Sequence, residues 1–269
     1  MATAIIVSGV MRHMANASSS WPWKENYFLH IDNIITKPQS FIATGFALDR
    51  LSTEIKQCKV KFKSITIDMD TINKHIIQKN IQRSNLYRNP ILNMLWKWKS
   101  VFSYIKLFNT FNIYDRIFIT RPDVYIDLKA PISIFDEMTL EDNTLYTTGP
   151  MVKVPNDDRN VETMGDVCLG LNFQTMEKLS NFYDYYLVAV DNIGITRHDV
   201  HSLMAAFVME NSIRLDTKLN EILQFAVLRD NSSFMFENGV LRPEYKFWDL
   251  TLKQKEWWDN DLKSKGIIT

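Results

Sequence analysis

The stretch of sequence that decides the fold reads YDRIFITRPDVYID and covers residues 114–127. Its apolar centre predicts a buried strand over residues 116–120. Pro122 ends that strand, because proline cannot donate a backbone hydrogen bond. In open α/β sheets, ligands bind beyond the carboxyl ends of the strands. Arg121 and Asp123 are therefore predicted to stand where a ligand binds.

Apolar runs and helical repeats alternate on both sides of this strand. The run over residues 4–7 predicts a first strand, and apolar residues at helical spacing predict a helix over residues 91–111. Residues 12–24 are polar and predict a loop that enters a helix near Glu25. Strands interleaved with helices predict an α/β fold with a mostly parallel central sheet flanked by helices. Further strands are predicted at residues 40–44, 60–67, 145–148 and 167–171, further helices at 46–57, 174–190 and 200–211, and a hairpin at 233–240.

Length and composition bound the function. The chain has 269 residues, of which 46% are hydrophobic, and it contains neither a recognisable linker nor a repeat, so we predict one domain. Its 31 basic residues balance 31 acidic ones. Because a nucleic-acid binder that works by bulk charge has a clear basic excess, this balance argues against such a function.

Cysteine usage and hydropathy predict a cytoplasmic protein. The two cysteines, Cys58 and Cys168, are too few for a disulfide framework or a four-cysteine zinc site. The apolar start over residues 1–10 is too short for a signal peptide, and no later apolar run is long enough to span a membrane. We therefore expect a reducing compartment.

Charged side chains follow the central strand. If the chain stays extended beyond Pro122, Asp123, Tyr125 and Asp127 fall on one face, because side chains alternate along a strand. The carboxylates of Asp123 and Asp127 would then hold a divalent cation that bridges diphosphate oxygens. Arg121 would pair with phosphate through its planar fork. The alternative is that Arg121 and Asp123 form a surface ion pair.

The end of the first strand offers a second group of candidates. Ser8, Gly9 and Arg12 follow residues 4–7 directly. Gly9 allows a ligand to approach the backbone closely, and Arg12 can meet a diphosphate. An ordinary turn explains the same residues equally well. Lys99, on the predicted long helix, either binds the ligand or is solvated.

Asp166 is the candidate general base. It precedes a predicted buried strand and follows a glycine-bearing loop, where a substrate-facing carboxylate can take a proton from an acceptor hydroxyl. Asp199 is the alternative base. Each aspartate is equally well explained as a cap of the element that follows it.

Five motifs in order resemble those of small glycosyltransferases from polysaccharide loci and from large algal DNA viruses, the chloroviruses. An apolar-Ser-Gly-x-x-Arg turn lies at residues 7–12, and a helix with Trp-Lys-Trp-Lys at 96–99. A Tyr-Asp, strand, Arg-Pro-Asp run follows at 114–123. An Asp with a short apolar strand lies at 165–170, and a helix begins near the methionine of 175–177.

The resemblance implies a GT-A-type fold with a nucleotide-sugar half over about residues 1–130 and an acceptor half over about 131–269. It implies a UDP-linked donor, and Mn²⁺ or Mg²⁺ at an Asp-x-Asp motif whose place Asp123 takes. This chain departs from that motif, because position 121 is arginine. The donor-binding residues so predicted are Ser8, Gly9, Arg12, Lys99, Arg121 and Asp123.

The function expected from the resemblance is transfer of a sugar to a capsid or surface glycan, with inversion at the anomeric carbon. It favours UDP-xylose as donor, a fucose-containing acceptor and, for a viral enzyme, the host cytoplasm. The alternative is a non-catalytic carbohydrate-binding or assembly module on the same fold. A hydrolase that uses Asp123 and Asp127 is disfavoured, because its two carboxylates must face each other across a cleft.

Overall fold

We analysed a computed structural model of the chain. It describes residues 2–9, 14–23, 26–32, 47–68, 90–108, 113–148, 152–153, 162–163, 167–192, 200–227, 233–237 and 240–244.

Short and medium-length strands run through the described part of the chain. In chain order, strands β1 to β13 are Ala2–Gly9, Tyr27–Asp32, Phe62–Asp68, Tyr114–Thr120, Val124–Leu128, Thr144–Thr147, Val152–Lys153, Glu162–Thr163, Cys168–Asn172, Arg214–Asp216, Leu223–Val227, Ser233–Glu237 and Val240–Glu244.

Helices lie between several of these strands. In the same part of the chain, helices α1 to α8 are Met14–Ser18, Ala47–Gln57, Pro90–Phe108, Ile132–Glu137, Phe173–Leu179, Phe182–Asn192, Val200–Glu210 and Leu219–Ile222.

The central feature is a seven-stranded mixed sheet in the order β10-β6-β9-β4-β1-β2-β3. Within this order, β3, β2, β1 and β4 are consecutive, and each of these strands is parallel to the next. Strand β9 is antiparallel to both β4 and β6, and β10 is parallel to β6. After β1 the chain builds the sheet outward to β2 and β3, and it then returns to place β4 on the other side of β1. The boundary between β1 and β4 is therefore a topological switch point.

The centre of strand β1, residues 4–7, is apolar without interruption because both faces of the sheet are covered. Ala4 and Ile6 pack with side chains of α3, α5, α6 and α7, whereas Ile5 and Val7 pack with α1, β5, α4 and β11. The predicted apolar face of the long helix is confirmed, since Leu95, Trp98, Phe102 and Ile105 are buried on the first of these faces. The chain is thus an α/β protein with helices on both faces of a mostly parallel sheet.

Small two-stranded pairings complete the fold. Strand β5 pairs antiparallel with β11, so the chain leaves the main sheet after β4 and starts a second layer. Strand β12 pairs with β13, and the pairing of Glu237 with Val240 confirms the hairpin predicted over residues 233–240. Strands β7 and β8 pair within a region that the sequence predicted as loop.

Two predictions about the first third of the chain are wrong. The polar segment after β1 contains the short helix α1, and a strand, β2, stands where the sequence indicated entry into a helix near Glu25. Asn26, with a φ of 66°, turns the chain into β2.

The predicted helix over residues 174–190 is two helices, α5 and α6, interrupted at Ser180 and Asn181. The strand predicted at residues 40–44 lies outside the described residues.

Candidate functional site

The carboxyl ends of β1 and β4 meet at the switch point. Val7 lies beside Thr120 in the parallel register, so Ser8 and Gly9 end β1 at the point where Arg121 follows β4. Gly9 has a φ of 139°, which side-chain-bearing residues rarely adopt, and a Cβ there would lie 3.3 Å from Cδ of Pro122. Glycine is therefore required where the two strand ends approach each other.

Arg121 and Asp123 form a two-point ion pair at this edge. Nε of Arg121 donates to Oδ1 of Asp123 at 3.0 Å, and Nη2 donates to Oδ2 at 2.8 Å. The Asp123 side chain is 3% exposed, whereas that of Arg121 is 24% exposed. The carboxylate of the pair is thus buried, whereas its arginine is partly exposed. The ion pair between Arg121 and Asp123 that the sequence offered as the alternative is present, but its carboxylate is buried rather than on the surface.

Ser8 and His30 are neighbouring buried polar residues beneath the same edge. They are register partners on β1 and β2, so their side chains lie on one face of the sheet. No described residue hydrogen-bonds to Oγ of Ser8. A buried hydroxyl without a partner costs about 1–3 kcal/mol, and a polar ligand at the strand ends would recover that cost.

The start of β9 is fixed against the end of β4. Oγ1 of Thr120 donates to the carbonyl of Val167 at 3.2 Å, and the backbone N–H of Cys168 donates to Oγ1 of Thr148 at 3.1 Å. Because β9 is antiparallel to β4, its first residues reach the edge that carries Arg121. Asp166, the predicted base, lies outside the described residues, but Val167 directly follows it in the chain.

Side chains of the segment after α1 hold strand β5 in place. The indole N–H of Trp21 donates to the carbonyl of Val124 at 2.8 Å, and the N–H of Ile126 donates to Oγ of Ser20 at 2.8 Å. These bonds occupy the edge of β5 that does not face β11. Trp21 and Trp23 are both buried in the core, so neither presents a ring face for stacking on a sugar.

The two predicted metal ligands stand in different surroundings. The chain turns at Pro122 and Asp123, and strand β5 begins at Val124, so the extended run assumed from the sequence starts too late to include Asp123. Tyr125 and Asp127 share a face of β5, and Asp127 is exposed. Burial, with the nearby Asp127 carboxylate, raises the pKa of Tyr125.

The donor set at Asp123 does not fit a divalent cation as the side chains stand. Both carboxylate oxygens of Asp123 accept hydrogen bonds from Arg121, and a cation needs those oxygens as ligands. Among the residues with described side chains, no three acidic, histidine or cysteine side chains form a cluster that would hold a metal ion. The metal at Asp123 and Asp127 stays a prediction.

Lys99 does not join the strand-end residues. Its Nζ lies 2.5 Å from Oδ2 of Asp184 and 5.4 Å from the ring centre of Tyr183, so it bridges α3 and α6. Lys97, the other lysine of the Trp-Lys-Trp-Lys stretch, is buried. The role of Lys99 in donor binding stays a prediction. Arg12 and Asp199 lie outside the described residues.

The sequence reading missed one residue at this edge, Asp32. It is the last residue of β2, and it pairs in register with Asp68 at the end of β3. In doubly wound folds an acidic residue about 20 residues beyond the glycine turn hydrogen-bonds the ribose of a nucleotide. This spacing from Gly9 was visible in the sequence, but it carries meaning only once β2 is recognised as a strand.

The chain matches no protein-family model, and its sequence matches no curated protein. In the described part of the structure, no helix combines the length and apolar character needed to cross a membrane.

Proposed function

We propose that this chain is a glycosyltransferase of the GT-A type, which transfers a sugar from a nucleotide-sugar donor to a glycan. The observation that carries the proposal is the switch point, where Ser8 and Gly9 stand beside Arg121 and Asp123. The order β3-β2-β1-β4 supports it, because nucleotide-binding halves of doubly wound sheets have this order and bind their ligand at this point.

Each part of the donor has a proposed partner at the edge. The diphosphate lies over the backbone of Gly9, and Arg121 and Arg12 balance its charge. The Ser8 hydroxyl supplies one hydrogen bond. The ribose hydroxyls face the end of β2 at Asp32. The strands β9, β6 and β10 and their helices then belong to the acceptor half.

The proposed reaction is a single displacement with inversion. The acceptor hydroxyl oxygen attacks the anomeric carbon of the donor, and the bond from that carbon to the diphosphate oxygen breaks. The nucleoside diphosphate leaves with the electron pair, and the hydroxyl proton passes to a carboxylate base. Asp166 is the proposed base because the adjoining residue, Val167, is bonded to Thr120 at the end of β4. Asp199 is the alternative.

The proposed donor is UDP-xylose and the proposed acceptor contains fucose, in the synthesis of a capsid or surface glycan in the cytoplasm. The choice rests on the resemblance alone. A xylose pocket would exclude glucose by bulk at the position of the missing CH₂OH group. The test measures UDP release from UDP-xylose and UDP-glucose at equal concentration. Equal rates, or a preference for UDP-glucose, would exclude UDP-xylose as the preferred donor and leave the transferase proposal intact.

A non-catalytic carbohydrate-binding module is the second candidate. The observation that favours it is that the Asp123 carboxylate is engaged by Arg121 and so is not available as a metal ligand. Such a module would bind a glycan without consuming a nucleotide sugar.

The test of the proposal titrates the full chain with UDP and GDP by calorimetry, and then screens nucleotide sugars for donor hydrolysis. We expect one nucleoside diphosphate to bind and its sugar conjugate to be hydrolysed slowly without acceptor. The matched control is Arg214→Lys, which alters an exposed arginine of β10 that pairs with Glu141. Glycan binding with neither nucleotide binding nor hydrolysis would favour the module instead.

A further inference from the structure

We infer that the donor diphosphate is bound without a divalent cation, by an Arg121 guanidinium that Asp123 holds in position. The inference rests on the proposed function and concerns the same site. It follows from how the two charges of the Arg121–Asp123 pair are distributed, and it makes Asp123 a positioning residue rather than a metal ligand.

The first step concerns the carboxylate. Two nearly equal hydrogen bonds, 3.0 and 2.8 Å long, join both Asp123 oxygens to the flat guanidinium of Arg121. With 3% of its side chain exposed, Asp123 has little surface through which a hydrated cation would enter. A cation at Asp123 would have to displace Arg121 and then place two positive groups against one carboxylate.

The second step concerns the guanidinium. Arg121 has 24% of its side chain exposed against 3% for Asp123, so the arginine supplies most of the exposed surface of the pair. Arginine keeps its charge at all accessible pH values and presents five N–H donors, two of which point at Asp123. Guanidinium groups bind phosphate through the same planar fork.

The third step concerns position. Gly9 lacks a side chain at the point where the β1 end approaches Pro122, the residue between the two members of the pair. A diphosphate over Gly9 therefore lies next to the arginine. Asp123 limits the rotamers of a long, flexible side chain, so less conformational freedom is lost when phosphate binds.

The experiment measures the Kd of UDP, and of GDP in parallel, for the full chain in EDTA and in Mn²⁺. We expect the two Kd values to agree within about threefold, a difference well below the tenfold step that corresponds to about one lost contact. Binding that EDTA abolishes and Mn²⁺ restores would overturn this inference and leave the proposed function standing. Failure to bind any nucleoside diphosphate under both conditions would overturn both.

Variants test whether Asp123 acts through Arg121. We expect Arg121→Lys to weaken nucleotide binding by about tenfold or more, because a single ammonium cannot replace the fork. Asp123→Asn should weaken binding by a similar factor in EDTA and in Mn²⁺ alike. Arg214→Lys is the matched control, and we expect no change in Kd.

A double-mutant cycle separates positioning from a general structural effect. If Asp123 acts through Arg121, the combined Arg121→Lys and Asp123→Asn variant should bind about as weakly as either single variant, because the two losses are one interaction. Additive losses would refute the positioning role. Thermal unfolding of each variant identifies any that fails to fold, and the comparison of EDTA with Mn²⁺ on the unaltered chain decides the cation question in that case.

Discussion

The Arg121–Asp123 and Lys99–Asp184 ion pairs each join a basic residue predicted to bind the donor to an aspartate, but their surroundings differ. In the first pair the aspartate is 3% exposed and the arginine 24%. In the second the aspartate is 48% exposed and the lysine 33%. A buried carboxylate depends on its partner, whereas exposed charges are already stabilised by water. An ion pair of the same kind is therefore buried at the strand ends in one region and partly solvated between two helices in the other.

The largest expected effect tests whether the strand-end region is catalytic at all. Asp166→Asn keeps the size of the side chain and removes its ability to accept a proton, so turnover should fall by about 10²–10⁴-fold while nucleotide affinity is kept. Asp199→Asn is measured in parallel by steady-state kinetics and UDP calorimetry. If that variant loses turnover and Asp166→Asn does not, Asp199 is the base.

Single substitutions of Arg121 and Asp123 test the difference in burial between the two side chains of this pair. Arg121→Ala removes two hydrogen bonds and a positive charge from a buried carboxylate and should lower the free energy of unfolding by about 3–5 kcal/mol. Asp123→Ala should cost less, because the partly exposed guanidinium can be solvated. Chemical denaturation of the two variants provides the measurement. Equal losses would mean that the carboxylate is as accessible as the arginine, contrary to the structure.

A third prediction concerns Gly9. In Gly9→Ala the backbone conformation is unfavourable and the new Cβ presses on Pro122, so stability should fall by about 1–3 kcal/mol and UDP affinity should fall with it. Gly170→Ala is the matched control, since a Cβ there would lie 2.9 Å from the Phe118 ring, within the core rather than at the edge. We expect Gly170→Ala to lower stability without changing the Kd of UDP. Unchanged affinity in Gly9→Ala would separate the glycine from the donor site.

The smallest effect is expected at the helix contact. Asp184→Asn removes the charge that Lys99 contacts, and both side chains remain partly solvated. The free energy of unfolding should fall by less than about 1 kcal/mol, and the Kd of UDP should not change. Weaker UDP binding in this variant would indicate that the contact between α3 and α6 is coupled to the donor site, and that Lys99 belongs with Arg121 after all.

Local sequence was sufficient for much of the parallel half. The apolar runs of β1 and β4 and the helical repeat of α3 are confirmed, because buried parallel strands and amphipathic helices write strong local patterns. Strand β2 was missed because its sequence, YFLHID, mixes apolar residues with a buried histidine, and because a proline and two tryptophans before it suggested a loop. Trp21 and Trp23 are core residues on the face of the sheet opposite α3, and this position depends on contacts with residues distant in sequence.

The candidate site residues likewise divide into those that local sequence could place and those that it could not. Gly9, Arg121 and Asp123 each follow an apolar strand, so their place at a carboxyl edge could be predicted from local sequence. Lys99 could not be assigned in this way, since helical spacing states which residues share a face but not which helix covers that face.

The sequence by itself determined the α/β class, the strand before Gly9 and the strand that Arg121 follows, because burial on both faces requires uninterrupted apolar residues. Only the tertiary structure decided that these two strands are neighbours at a switch point, and that the Asp123 carboxylate is buried against Arg121. Strand order and the solvation of a charge are set by contacts between segments far apart in the chain. Residue types along one segment therefore cannot specify them.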